Sequence, residues 1–368
     1  MKYFAVAFLM IVIGCSQEKK TSVSYDAGVT FVHTSDTSRI FKPGTDVTDA
    51  LHHRPIDLDI WYPAYHAEAD TQLLVRDLFR LLETRANYYS GSKVGDGISG
   101  QFAQFFCTTF KCADSTSLLR FKTNSFKNAA AASGRFPIVV YMTAFNGMSY
   151  ENFSMFESLA QKGFIVVSIS SIGRFPGDMT TKKEDLMEQV YDAVAAVKEL
   201  KKNPNADTNS IAIVGYSWGG LSGAILAGKL PKVKCMVSLE GSEFHHYGNE
   251  DMDFEAIKNS DDFKNLQFSI PYLRMESSPS NGSGKKDSVY DFVSDHVKEA
   301  HIFTIDSIQH EDFDCFSLVV KKAGNCPVNQ RYHSALQLTV GFLETELKGK
   351  DNFLPAVDAL MNKTIRKK

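Results

Sequence analysis

The sequence predicts an α/β fold in which a mostly parallel central sheet is covered by helices on both faces. Three observations point that way. Largely apolar runs at 136–142, 164–169 and 233–239, interrupted only by Ser168, Lys234 and Ser238, are the pattern of strands covered on both faces. Stretches with helical spacing separate these runs, the order expected of a parallel sheet with crossover helices. At the centre of the chain, the β-forming residues Ile211, Ala212, Ile213 and Val214 run into Gly215-Tyr216-Ser217-Trp218-Gly219, and a small-residue helical stretch follows at 221–230. A G-x-S-x-G sequence between a strand and a helix is a sharp elbow. Glycine permits the close backbone approach on either side, and the turn projects the Ser217 hydroxyl above the sheet.

The elements follow in order. Residues 29–33 and 56–62 read as an antiparallel opening pair ending at Trp61-Tyr62-Pro63. Residues 73–89 place Leu74, Leu78, Leu81 and Leu82 on one helical face without a breaker. The segment 91–134, rich in Gly, Ser and Phe, reads as a cap-like insertion that covers part of the candidate site. A helix is expected at 150–162, and a long amphipathic one at 183–201 with Leu186, Val190, Val194 and Val197 in register. Further strands are expected at 270–275 and 301–305, and helices at 289–300, 311–320 and 332–347. Residues 277–286 read as a polar surface excursion.

The N-terminus carries Lys2, an apolar run at 3–13 and then Cys15. That run is too short to span a bilayer and reads as a signal peptide over 1–14. Val12-Ile13-Gly14-Cys15 resembles the bacterial lipobox, which implies cleavage before Cys15, a lipid on its thiol and an exported, membrane-anchored protein, periplasmic or at the cell surface. Residues 15–24 are then the lipidated cysteine and tether, and 25–368 a single domain. An ordinary secretory signal with an incidental cysteine is the alternative, and it exports the domain equally. For an oxidising compartment, Cys107 with Cys112 and Cys315 with Cys326 are the expected loop-stapling pairs, leaving Cys235 as a small buried hydrophobe. No cysteine or histidine stands at familiar ligand spacing, so no metal is expected. A net charge of −3 with interspersed signs gives no basic stripe, which argues against nucleic acid as a partner. With 27 Phe and 14 Tyr, the chain has aromatic side chains to fill a core and to line an apolar cleft.

This order of elements resembles the α/β-hydrolase fold. Within it the chain is similar to the platelet-activating-factor acetylhydrolase and dienelactone-hydrolase-like esterases. The similarity covers roughly 54–347 and rests on 54–64 (through Trp61-Tyr62-Pro63-Ala64), on the strand and loop 136–147, on the elbow, and on Gln309-His310-Glu311-Asp312-Phe313. The segment 91–134 has no counterpart in it. The resemblance implies a serine-dependent carboxylic ester hydrolase that works through an acyl-enzyme on a small or acyl/acetyl ester and needs no cofactor.

A serine hydroxyl is a weak nucleophile, so an imidazole must take its proton. His310 follows the last core strand on a short loop, where the fold delivers its histidine. His52, His53, His66, His296, His301 and His333 read as surface or structural residues, while His245 and His246 lie where a loop can touch substrate. The acid that orients the imidazole is expected at a strand end. Glu240 ends strand 233–239, where the acetylhydrolase-like group places its acid as Asp; Glu276 on the next strand is the alternative, with Glu243 and Asp287 behind it. The oxyanion donors are expected to be the backbone N–H of Trp218 and, from the loop after strand 136–142, that of Phe145. The family usually shows a His-Gly pair in that loop, whereas this chain has Thr143-Ala144-Phe145-Asn146-Gly147. Trp218, Phe145, Phe244 and Tyr247 are candidate cleft walls, and Arg174 is either an anion-binding group or a surface ion-pair partner. The sequence leaves open a non-catalytic binding lipoprotein on the same scaffold, a peptidase or acyltransferase using the same triad, the natural ester and the oligomeric state.

Overall fold

A computed structural model describes residues 24–91, 97–170, 172, 179–243, 252–278 and 296–368. Its elements, in chain order, open with β1 (Asp26–Ile40), β2 (His53–Tyr65), β3 (Gln72–Leu74), α1 (Val75–Ser90), α2 (Ile98–Phe110), α3 (Ser115–Arg120), β4 (Lys122–Lys127) and β5 (Ala130–Ala131). The middle of the chain supplies β6 (Phe136–Met142), α4 (Phe153–Gln161), β7 (Ile165–Ile169), α5 (Lys183–Leu200), β8 (Ala206–Tyr216), α6 (Trp218–Lys229) and β9 (Val233–Leu239). There follow α7 (Met252–Lys258), α8 (Asp261–Lys264), β10 (Tyr272–Ser277), β11 (Ala300–Ile305), a 3-10 turn (His310–Phe313), α9 (Phe316–Ala323), α10 (Arg331–Lys348), α11 (Phe353–Leu360) and β12 (Ile365–Lys367).

One sheet runs β12-β11-β10-β9-β8-β6-β7-β2-β1-β4-β3, with β5 paired to β2. Its central block, β7-β6-β8-β9-β10-β11, is parallel throughout, and the opening hairpin β1–β2 is antiparallel, as the alternation in the sequence predicts. Every residue of β6 is buried. Each large aliphatic side chain so enclosed contributes about 1.5–3 kcal/mol relative to exposure, which is why such strands tolerate no polar alternation. Two apolar layers flank the sheet. One packs Leu78, Phe79, Phe156, Phe316, Leu338 and Phe342 from α1, α4, α9 and α10, and the other packs Leu186, Val190, Leu221, Ile225 and Phe263 from α5, α6 and α8.

Two expected helices differ. Residues 279–295, and with them Asp287, lie outside the described residues; of the described end of the expected helix 289–300, His296 is helical and 297–300 are not, since Val297 bridges Phe268 and Ala300 opens β11. The expected helix 311–320 is divided, because Asp314 is extended and its side chain accepts the Phe316 N–H at 2.8 Å, which ends the turn and starts α9 afresh.

The described part of the 91–134 segment adds α2, α3, β4 and β5 to the body. Phe106 of α2 stacks on Phe316 of α9 with ring centroids 4.2 Å apart, so this segment meets the site region through the helix that follows His310. A disulfide fastens the same contact, and it is not one of the expected pairs. Cys112 bonds Cys326, with Cα atoms 6.4 Å apart, while Cys107, Cys235 and Cys315 are buried thiols. The reason is direction. Cys107 lies within α2 and faces the apolar layer, whereas Lys111 ends the helix with φ +50° and turns Cys112 toward the loop after α9. Cys315 starts α9 facing inward, its thiol bonded to the Glu151 carbonyl at 3.3 Å, and Cys326 lies beyond the other end of that helix.

Glu157 of α4 ties β4 to the body. Its buried carboxyl accepts the Asn124 N–H at 2.6 Å and the Ser125 hydroxyl at 2.7 Å, and Ser125 in turn accepts Trp61 Nε1–H at 3.1 Å. Burial outweighs these hydrogen bonds and pushes the carboxyl up to about 7 from an ordinary 4.5. The folded chain therefore keeps this proton at pH values where the unfolded chain has released it. Stability from this group is greatest below about pH 4.5 and is lost as pH rises to about 7, by on the order of 3 kcal/mol. Denaturant melts from pH 4.5 to 7.5 are expected to show a downward slope that Glu157→Gln flattens; an equal slope in the variant contradicts the assignment.

Candidate active site

Strand ends at one edge of the parallel block carry the site. β8 ends at Tyr216, and Ser217 takes φ +53° and ψ −120°, a conformation costly for any residue with a Cβ and held here by its surroundings. The Ser217 N–H donates to Leu239 O at 3.1 Å, and Ser217 O accepts the Ser242 N–H at 2.8 Å, so the elbow is stitched to the loop leaving the neighbouring strand. Gly219 is obligatory, since a Cβ there falls on the Met142 carbonyl at the end of β6.

Glu240, the first residue after β9, also has positive φ, +46°, and this kink turns its side chain across the top of the sheet. The result is a chain of hydrogen bonds. His310 Nε2 lies 3.0 Å from Ser217 Oγ, and His310 Nδ1 lies 3.3 Å from Glu240 Oε2. A carboxylate only accepts, so Glu240 selects the tautomer with hydrogen on Nδ1 and turns the lone pair of Nε2 toward the serine hydroxyl. Glu240 is 3% exposed and His310 24%, which keeps the acid dry and leaves one side of the imidazole open.

Glu276 is placed elsewhere. Alternation along β10 puts it on the face of Tyr272 and Arg274, where it accepts from Lys368 Nζ at 2.8 Å and lies 3.8 Å from Arg274 Nε. Glu243 accepts from the Tyr272 hydroxyl at 2.6 Å and pairs with Arg274 at 3.2 Å. Of the acids weighed from sequence, the structure brings Glu240 to His310.

Two neighbours escaped sequence reading. Ser277 donates both its hydroxyl and, at 3.3 Å, its N–H to Glu240 Oε1, directing the other carboxylate oxygen to His310. Tyr216 donates its hydroxyl to the His310 carbonyl at 3.0 Å. Tyr216 stands in the elbow sequence, but nothing local signals its partner, 94 residues away. Across the site, the ring of Phe145 meets Trp218 edge-on, with centroids 5.9 Å apart. Trp218 is buried and Phe145 41% exposed, so the pair forms an aromatic corner beside Ser217. His296 is structural, its Nδ1 bonded to Leu266 O at 2.8 Å, and His66 stacks on Phe126. Arg174, Phe244, His245, His246 and Tyr247 lie outside the described residues, as do Cys15 and the signal segment. Among the described residues, no three His, Cys, Asp or Glu side chains cluster as a metal site, and no helix is long and apolar enough to cross a membrane.

Residues 125–259 match the model of the dienelactone hydrolase family. No curated protein matches the chain. Among solved structures, 861 chains share the fold, so that likeness identifies an architecture and not a reaction. One is a ferulic acid esterase from Streptomyces cinnamoneus, 13% identical, with a TM-score of 0.61 over 95% of this chain and 98% of that one. The family match supports a hydrolase, and the structural match supports the fold. The chain is an α/β-hydrolase by fold, and its elbow, acid loop and 143–147 loop all lie within the segment that is similar to the dienelactone hydrolase family.

Proposed function

We propose that the protein is a serine ester hydrolase with Ser217 as nucleophile, His310 as general base and acid, and Glu240 as the acid that orients His310. The hydrogen-bonded series Ser217–His310–Glu240 carries this reading. In the first half-reaction Nε2 of His310 takes the hydroxyl proton as Ser217 Oγ bonds to the ester carbonyl carbon. The carbonyl oxygen becomes an oxyanion, for which the N–H groups of Trp218 and Phe145 are the proposed donors. Ala144 N–H is already taken by Glu151 at 2.9 Å, which makes Phe145 the next amide of that loop. Collapse breaks the bond to the leaving alkoxide, which receives the proton from His310. Water, deprotonated by the same imidazole, then attacks the acyl-enzyme, releasing the carboxylic acid and restoring Ser217.

The aromatic corner of Phe145 and Trp218 suits an aryl or short apolar acyl group, and the fold neighbour is itself named for an aryl-acid ester. A small ester of that kind is the substrate class we propose. The test is hydrolysis of p-nitrophenyl acetate, butyrate and cinnamate, with a p-nitroanilide alongside, by wild type and folded variants. Ser217→Ala and His310→Ala are expected to lower kcat by about 10⁴-fold or more, Glu240→Ala by about 10²-fold or more, and Glu276→Ala by less than about threefold. A folded wild type that turns over none of these substrates points instead to a binding lipoprotein, and faster anilide than ester turnover points to a peptidase.

The proposed site of action is the bacterial envelope, with Cys15 as a lipid anchor. Wild type is expected in the membrane fraction and Cys15→Ser in the soluble exported fraction; the same distribution for both contradicts the anchor.

A further inference from the structure

The 143–147 loop lacks the family's His-Gly pair, and two buried side chains hold it instead. One peptide plane, between Thr143 and Ala144, is gripped at both poles. Its carbonyl accepts Gln189 Nε2–H at 3.0 Å and its N–H donates to Glu151 Oε1 at 2.9 Å. The two side chains come from opposite layers, Gln189 on α5 and Glu151 just ahead of α4, and both are buried. A plane held at one pole swings about the Cα–Cα axis, while a plane held at both does not. The grips are themselves fixed. The Tyr141 hydroxyl donates to Glu151 Oε1 at 3.2 Å, the Glu151 carbonyl accepts the Cys315 N–H at 3.2 Å, and the Thr143 hydroxyl donates to Ile169 O at 3.2 Å.

Downstream, the Gly147 N–H closes a turn on Ala144 O at 2.8 Å. Gly147 has no Cβ, which would run into Glu151 Oε2 and the Ala144 backbone, so the turn and the carboxyl fit only with glycine there. Phe145 lies between the gripped plane and this turn. Its amide direction is thereby determined from both sides.

We infer that Glu151 and Gln189 are positioning residues that clamp the 143–144 peptide and so aim the Phe145 N–H at the developing oxyanion. This rests on the serine-esterase reading above and names what preorganises one half of its oxyanion hole. Burial raises the Glu151 carboxyl well above its ordinary range, so a neutral amide is the fitting replacement for it.

The test combines steady-state kinetics on p-nitrophenyl acetate with inhibition by an alkyl trifluoromethyl ketone, whose hemiketal with a serine carries the oxyanion. Glu151→Ala, Glu151→Gln and Gln189→Met are compared with wild type, each checked for folding by thermal melting. Glu151→Ala and Gln189→Met are expected to lower kcat and weaken the ketone by about tenfold or more, with KM within about threefold. Glu151→Gln, which keeps an acceptor for Ala144 N–H, is expected to recover most of the loss. Unchanged kcat in a folded Glu151→Ala or Gln189→Met, a change confined to KM, or a Glu151→Gln as impaired as Glu151→Ala overturns the clamp. Should Glu151→Ala fail to fold, the other two variants decide. A wild type without turnover removes the esterase reading and the clamp with it, whereas an active wild type with indifferent clamp variants removes the clamp alone.

Discussion

Two backbone hydrogen bonds, Ser217 N–H to Leu239 O and Ser242 N–H to Ser217 O, hold an unfavourable backbone conformation in place, and the rest of the site is arranged around them. A serine at φ +53° and ψ −120° costs roughly 1–3 kcal/mol relative to a relaxed one. The parallel pairing of β8 with β9 offsets that cost, because it brings the two strand ends level: Tyr216 lies opposite Leu239. The same pairing sets Glu240 one residue beyond the sheet, beside Ser217. Strain at the serine and placement of the acid are two consequences of one register.

His310 is supported from a different direction. The turn that carries it is bracketed by Tyr216, whose hydroxyl takes its carbonyl, and by α9, whose start is fixed by Asp314. Helix α9 is in turn packed by Phe106 of α2 and tied through Cys326 to Cys112. The 91–134 segment, of which 125–134 falls within the family match, thus packs against and is bonded to the region of the helix that follows the imidazole. Its contact is with the scaffold.

Much of this was legible in the sequence because its signals are local. β6 and β9 have the bounds that their largely apolar runs predict, since burial on both faces leaves few polar positions, Lys234 near the start of β9 being the exposed exception. The elbow is legible because a strand, two glycines and a small-residue helix are contiguous. Features that depend on contacts across the chain were not legible. Cys112 and Cys326 are 214 residues apart, and nothing nearby in sequence favours that pair over the shorter ones. Ser277 looks like any polar residue at a strand end until β10 is laid against β9. Glu240 is preferred to Glu276 on the resemblance alone; side-chain parity along β10 gives the physical reason, turning Glu276 to Arg274 and Lys368 and Ser277 to Glu240. Glu151 and Gln189 escaped notice because a helix-flanking glutamate and a mid-helix glutamine carry no motif.

The central claim is that Ser217 is the nucleophile of a hydrogen-bonded triad. The most direct measurement is to treat folded wild type and His310→Ala with a fluorophosphonate, digest them and map the adduct by mass spectrometry. The account predicts one stoichiometric adduct, on the peptide containing Ser217, formed rapidly in wild type and at least about a hundredfold more slowly without His310. An adduct on another residue, or none on a folded wild type, contradicts it.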